Sequence, residues 1–298
     1  MKRLLRVIVV LFMVYALLAR VVGLVDLPRQ ETERLDRDAG FCDEYSQIDS
    51  LGLGMVQVAH HRAWNKYSFD SLYCLSYTIP STTAGLSRES RHRAGSQEER
   101  YEKYWRDIYY QLYQSDREKI AFLQNALQGI ATKYHLTANE FAKLIVSFVQ
   151  DIPYSYVMPG PCDRTDHPCL GHEKFGILSP IEFLYTLTGD CDTRSVLLYA
   201  LLRHFGYNAL IVISNEYRHA MIAIELPAAG DHIIFKGKKF YFWETTNTGW
   251  LPGMLPPDTN NVAYWKITLD HEYQTVTARN RCGLVRPKHR HCDHDHYL

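Results

Sequence analysis

The chain has 298 residues, 46% of them hydrophobic, enough for one large domain with a buried core or for two small ones. Its 33 lysines and arginines balance 33 aspartates and glutamates, which removes the electrostatic case for nucleic acid as a partner. The 21 tyrosines suit a core or a groove for an extended polymer.

In chain order, the first element is a basic start, Lys2, Arg3 and Arg6, followed by the apolar run Val7–Ala19. That pattern reads as an export signal or membrane anchor over residues 1–27, with the body outside the cytoplasm, periplasmic or at the cell surface. No small-x-small cleavage site follows, because Arg20 stands where a cut would fall, so cleavage stays open. Residues 28–97 read as a linker and a short β region. Within it, strand-like alternation runs from Val56 to Ile79, and Ser81 to Ser96 reads as a polar loop.

Residues 98–268 hold the regular pattern. Tyr101, Tyr104, Trp105, Ile108, Tyr109 and Leu112 form the apolar stripe of a helix. Ser115 with Glu118, and Thr137 with Glu140, have the spacing of capping boxes that open two further helices. Pro153 closes the last of these, and Pro180 opens a short helix. Cys191 then stands at the mouth of a long helix ended by Gly206. Four strand-like runs follow, "NALIVIS", "HAMIAIEL", "DHIIF" and "KFYFWET", with a hairpin at Gly237. The order predicts an α+β fold: a central helix packed on an antiparallel sheet, preceded by a helical and short β region. Residues 269–298 form a His- and Cys-containing tail.

The chain has seven cysteines, and an exported protein with an odd count predicts one free thiol beside disulfides. Cys162 and Cys169 flank a short loop that a bridge can close. The other pairings stay open, and Cys191 is the cysteine left over.

Cys191 follows a Gly189-Asp190 turn at a helix N-terminus. Unpaired backbone N–H groups and the helix dipole there favour a thiolate, so the expectation is a lowered thiol pKa. The N–H of Cys191 itself is an oxyanion donor. His219 opens one strand and Glu244 closes another. "DHIIF" as an inserted short strand leaves their pairing open; direct antiparallel pairing of those strands brings the two residues to one end of the sheet. That gives a nucleophile, a base and an orienting carboxylate, with Asn247 as the reserve orienter. Gln150 is a candidate oxyanion donor, and Trp243 and Trp250 are candidates for the wall of a substrate groove. In the tail, His289, His291, His294 and His296 alternate around Cys292 and are weak metal candidates. The reading adopted is a solvated end with no metal and no cofactor.

The stretch "GDCDTRSVLLYALLRHFGYNALIV…HAMIAIEL…YFWETT" resembles the transglutaminase-like core, over roughly Phe141 to Trp250. "FVQDIPY" is similar to the helix-to-extended step that precedes the cysteine there. The resemblance implies a papain-like cysteine hydrolase or acyltransferase acting on a peptide or protein substrate, with Cys191, His219 and Glu244 as the triad. Glu244 stands where that family has Asp. The expected reaction is cleavage of a peptide or carboxamide bond through an acyl-enzyme. Transfer to an amine, and a non-catalytic peptide-binding member of the same fold, are the alternatives.

Overall fold

The computed structural model describes residues 44–52, 55–65, 72–163 and 165–273. The Val7–Ala19 run, Cys42, Cys282, Cys292 and the four tail histidines lie outside the described residues. Among the described residues no helix is long and apolar enough to cross a membrane.

The fold is α+β, as the order of patterns predicts. A three-stranded antiparallel meander comes first: β1 (Tyr45–Gly52), β2 (Met55–Asn65) and β3 (Leu72–Pro80). On β3 the alternation is visible as burial, with Tyr73, Leu75, Tyr77 and Ile79 turned inward. Four helices follow, α1 (Ser81–Arg93), α2 (Tyr101–Asp116), α3 (Ala121–Lys133) and α4 (Ala138–Gln150). A two-stranded parallel clip, β4 (Tyr156–Val157) with β5 (Cys169–Leu170), leads to α5 (Pro180–Thr186) and α6 (Cys191–His204).

The second sheet is antiparallel in the order β10-β6-β7-β9-β8, where β6 is Ala209–Ser214, β7 His219–Ile224, β8 His232–Phe235, β9 Lys238–Trp243 and β10 Lys266–Leu269. β8 lies outside β9, so β7 and β9 pair directly. The β8–β9 turn places both Lys236 and Gly237 at positive φ, 50° and 77°, the backbone that a two-residue hairpin requires. β6 and β7 are buried on both faces, which is why they read as unbroken apolar runs. One face packs on the helices through Ile211, Ile213, Ile222 and Trp243. The other meets Leu255 and Trp265 from the segment that returns to β10. Helix α6 is buried nearly all round, from Cys191 to Leu202, between this sheet and α2, α4 and α5.

Two expectations are corrected here. The segment read as a polar loop, Ser81 to Ser96, is α1. Its inward positions are Ala84, Ser87 and Arg91, so the buried face is polar and carries no apolar stripe. Arg91 is fully buried and bonds Glu182 of α5 at 2.7 and 2.8 Å and also Glu173, while Ser87 bonds Asp116 of α2. The region read as linker and short β structure therefore packs into the same unit as the helices. The second correction concerns Ser115 and Glu118, which form no capping box. Ser115 lies in the last turn of α2, bonded to Leu112 O at 3.1 Å, and α3 starts later, with Ile120 at its cap. Thr137–Glu140 is a capping box, as is Ser179–Glu182 at α5.

Candidate active site

The Gly189-Asp190-Cys191 turn is fixed by packing and capping. A Cβ on Gly189 would stand 2.8 Å from Phe183 and from Thr193, so only glycine fits. Asp190 caps α6 by accepting from the Thr193 N–H at 3.1 Å. Cys191 becomes the first helical residue, and the backbone amide of Ala220, at the start of β7, favours its thiolate form.

Residue His219 precedes that amide. The β7–β9 register sets Ile222 opposite Trp243, which brings His219 and Glu244 to one end of the sheet. His219 Nε2 donates to Glu244 Oε2 at 2.9 Å. The other carboxylate oxygen accepts from Thr245 N at 2.8 Å, Thr246 N at 2.9 Å and Thr246 Oγ1 at 2.8 Å. Glu244 is therefore an acceptor on both oxygens, which assigns the ring proton to Nε2 and leaves Nδ1 as the basic nitrogen. Burial opposes charge on the carboxyl, but the His219 charge and these donors outweigh it and bring Glu244 to about 2. Burial likewise opposes charge on His219; Glu244 reverses that and holds the imidazole above its ordinary value. The indole of Trp265 backs the imidazole edge-on, with ring centroids 5.8 Å apart.

The thiol departs from expectation. Burial, then the charges of Asp192 and Asp190, push Cys191 well above the ordinary thiol value rather than below it. Cys191 is 6% exposed, and its Sγ lies 3.8 Å from Asp192 Oδ2. Tyr109 donates to the other oxygen of Asp192. Tyr101, raised to about 12 by burial and by the Asp192 and Cys191 charges, belongs to the same neighbourhood. The resting sulfur is thus a protonated thiol at neutral pH.

Two residues serve as supports. Gln150 donates to the carbonyls of Glu244 at 2.6 Å and Trp250 at 3.1 Å. Both N–H bonds of its amide are engaged there, so it anchors the loop carrying Glu244 in place of the oxyanion role expected of it. Arg194, which sequence reasoning did not single out, is fully buried one turn into α6. It donates to Gly189 O at 3.2 Å, Val149 O at 2.8 Å, Thr245 O at 3.1 Å and Ile152 O at 2.6 Å. One guanidinium therefore ties the cysteine turn, the end of α4 and the Glu244 loop together. The signal in the sequence is an arginine placed just before the apolar run Val196–Leu202.

Trp243 is packed in the helix-facing core and lines a cavity with Asn139 and Lys143, two to three turns along α4 from Gln150. Trp250 is half-buried, and Asn247 is exposed and accepts from Thr248 N at 2.8 Å. Cys162 and Cys169 are bridged, with Cα atoms 5.9 Å apart, and Cys191 is the free thiol among the described residues. The bridge ends at β5, which pairs with β4, and Ser155 just before β4 bonds Gly189 O at 3.3 Å.

No family model, curated protein or solved structure matches the chain.

Proposed function

We propose that the chain is a cysteine hydrolase with a transglutaminase-like core, cleaving peptide or carboxamide bonds through an acyl-enzyme. The observation that carries this reading is the His219–Glu244 pair at 2.9 Å, set at the strand end whose next amide, that of Ala220, favours the Cys191 thiolate. In the proposed reaction His219 Nδ1 takes the thiol proton as sulfur attacks the carbonyl carbon. The N–H of Cys191, an unpaired group of the first helical turn, faces the developing oxyanion. The imidazolium then gives its proton to the leaving amine, and Glu244 stabilises the imidazolium throughout. Water, activated by the same imidazole, attacks the thioester and releases the acid.

The basic start and the Val7–Ala19 run support an exported or membrane-anchored protein with this domain outside the cytoplasm. A disulfide at Cys162–Cys169 agrees with an oxidising compartment.

One observation favours a second reading. The Cys191 thiol is buried and raised, with a carboxylate as its neighbour, and such a thiol suits a peptide-binding member that does not turn over. Profiling the full chain against peptide and glutamine-carboxamide libraries, with Cys191→Ala as control, separates the two. The hydrolase reading expects turnover that Cys191→Ala abolishes. Binding without turnover by the wild type would overturn it, and products joined to added amines would replace hydrolysis with transfer.

A further inference from the structure

At the other end of α6, away from Cys191, a second cavity of about 430 Å³ opens between α2, α6 and the residues that follow β10. Tyr199 and Arg203 line it and stand eight and twelve residues beyond Cys191, about 12 and 18 Å along the helix axis. The cavity is therefore separate from the proposed catalytic group. Its size falls within the roughly 300–1,000 Å³ of small-molecule sites.

Four phenol rings form much of the wall. Tyr110 packs edge-on against Tyr273 with centroids 4.9 Å apart, and Tyr113 against Tyr199 at 5.2 Å. Tyr199 donates its hydroxyl to Asp270 O at 2.8 Å, and Tyr273 reaches Asp107 at 3.4 Å. The hydroxyls of Tyr110 and Tyr113 make no hydrogen bond among the described residues.

Arg117, Arg203, Gln114 and His271 complete the lining, and no carboxylate residue belongs to it among the described residues. Arg203 gives one N–H to Tyr207 O at 3.1 Å and is in no ion pair among the described residues. Among the described residues Arg117 is paired only with the exposed Glu118, at 3.3 Å. His271 has Glu272 3.7 Å from its Nε2, while its Nδ1 is buried without a partner. Two tyrosine hydroxyls without partners among the described residues, beside a guanidinium in no ion pair, suit this cavity to polar and anionic atoms.

We propose that this cavity binds a sugar acid, a sugar ring carrying a carboxylate or a phosphate. The guanidinium of Arg203 takes the anionic group through parallel N–H···O bonds. The hydroxyls of Tyr110 and Tyr113 meet the ring hydroxyls, and the tyrosine rings cover the ring's C–H surface.

Titration calorimetry on the full-length protein tests this with glucuronate, glucose 6-phosphate, glucose and inorganic phosphate as probes. The expected result is a Kd of about 1 mM or tighter for glucuronate, glucose 6-phosphate or both. Which of the two binds names the anionic group. Glucose and inorganic phosphate should bind at least about tenfold more weakly, and Arg203→Met should weaken the anionic sugar by about tenfold or more. If Arg203→Met does not fold, the exposed Arg117→Ala should still weaken binding several-fold. Cys191→Ala should bind as wild type, which keeps this outcome independent of the catalytic reading. Absence of binding by both sugar acids, equal binding of glucose or inorganic phosphate, or unchanged affinity in a folded cavity variant would each overturn the proposal.

Discussion

His219 and Glu244, 25 residues apart in sequence, form a charge-assisted hydrogen bond of 2.9 Å at one end of the β7–β9 pair. Glu244 sits near 2 in the fold against an ordinary 4.5, so the unfolded chain holds the proton more readily between those values. Its stabilisation is complete above pH 4.5 and is lost as pH falls through about 2. The shift corresponds to roughly 3 kcal/mol. Urea denaturation of Glu244→Gln against wild type should show a difference of that order near pH 6, shrinking as pH approaches 2. A difference that does not change with pH would contradict the ionised assignment.

The same pair sets the pH dependence of the proposed chemistry. Because Glu244 holds His219 above its ordinary 6.5, the acid limb of the rate profile should lie above that value in wild type. With Gln at 244 the carboxylate charge is gone and burial dominates, so the limb should move below 6.5 and the maximal rate should drop. We expect a loss of about tenfold or more. A limb that stays in place in Glu244→Gln would remove Glu244 from the site.

Arg194 predicts a stability effect as well. It serves the carbonyls of Gly189, Val149, Ile152 and Thr245 from a fully buried position. Arg194→Met leaves those oxygens without their donor, at a cost on the order of 3 kcal/mol or more. Thermal unfolding by circular dichroism measures it, and a loss under about 1 kcal/mol would mean that the carbonyls find other donors.

The Cys162–Cys169 bridge closes a loop with a sequence separation of seven. A loop that small is worth about 2–3 kcal/mol at most on chain-entropy grounds. The double change to serine should lower stability within that limit and lower turnover as well, because β5 at the end of the loop pairs with β4, and Ser155 just before β4 bonds the Gly189 turn. Non-reducing peptide mapping that finds both thiols free in protein from an oxidising compartment would refute the bridge.

Much of this arrangement was legible in the sequence for physical reasons. β6 and β7 read as strands because both faces are buried, and the Cys191 helix announced itself through an apolar run bounded by a Gly-Asp turn and Gly206. The convergence of His219 and Glu244 followed from antiparallel pairing alone. Helix α1 was illegible because Ser87 and Arg91 bury polar groups against Asp116 and Glu182, and those partners are distant in sequence. The short strand β10, the buttress Trp265 and the part of Arg194 depend on tertiary neighbours in the same way. The raised thiol was missed because the helix dipole was weighed without the burial of Cys191 or the charge of Asp192 beside it.

The claim that Cys191 is a nucleophile served by His219 is tested most directly by the rate of alkylation with iodoacetamide, followed by mass spectrometry at Cys191 between pH 5 and 9. The account predicts that wild type is alkylated at Cys191 near neutral pH, and that His219→Ala slows it by about tenfold or more while the fold is retained. A thiol that stays unmodified in the folded wild type, or one that reacts at the same rate without His219, would contradict it.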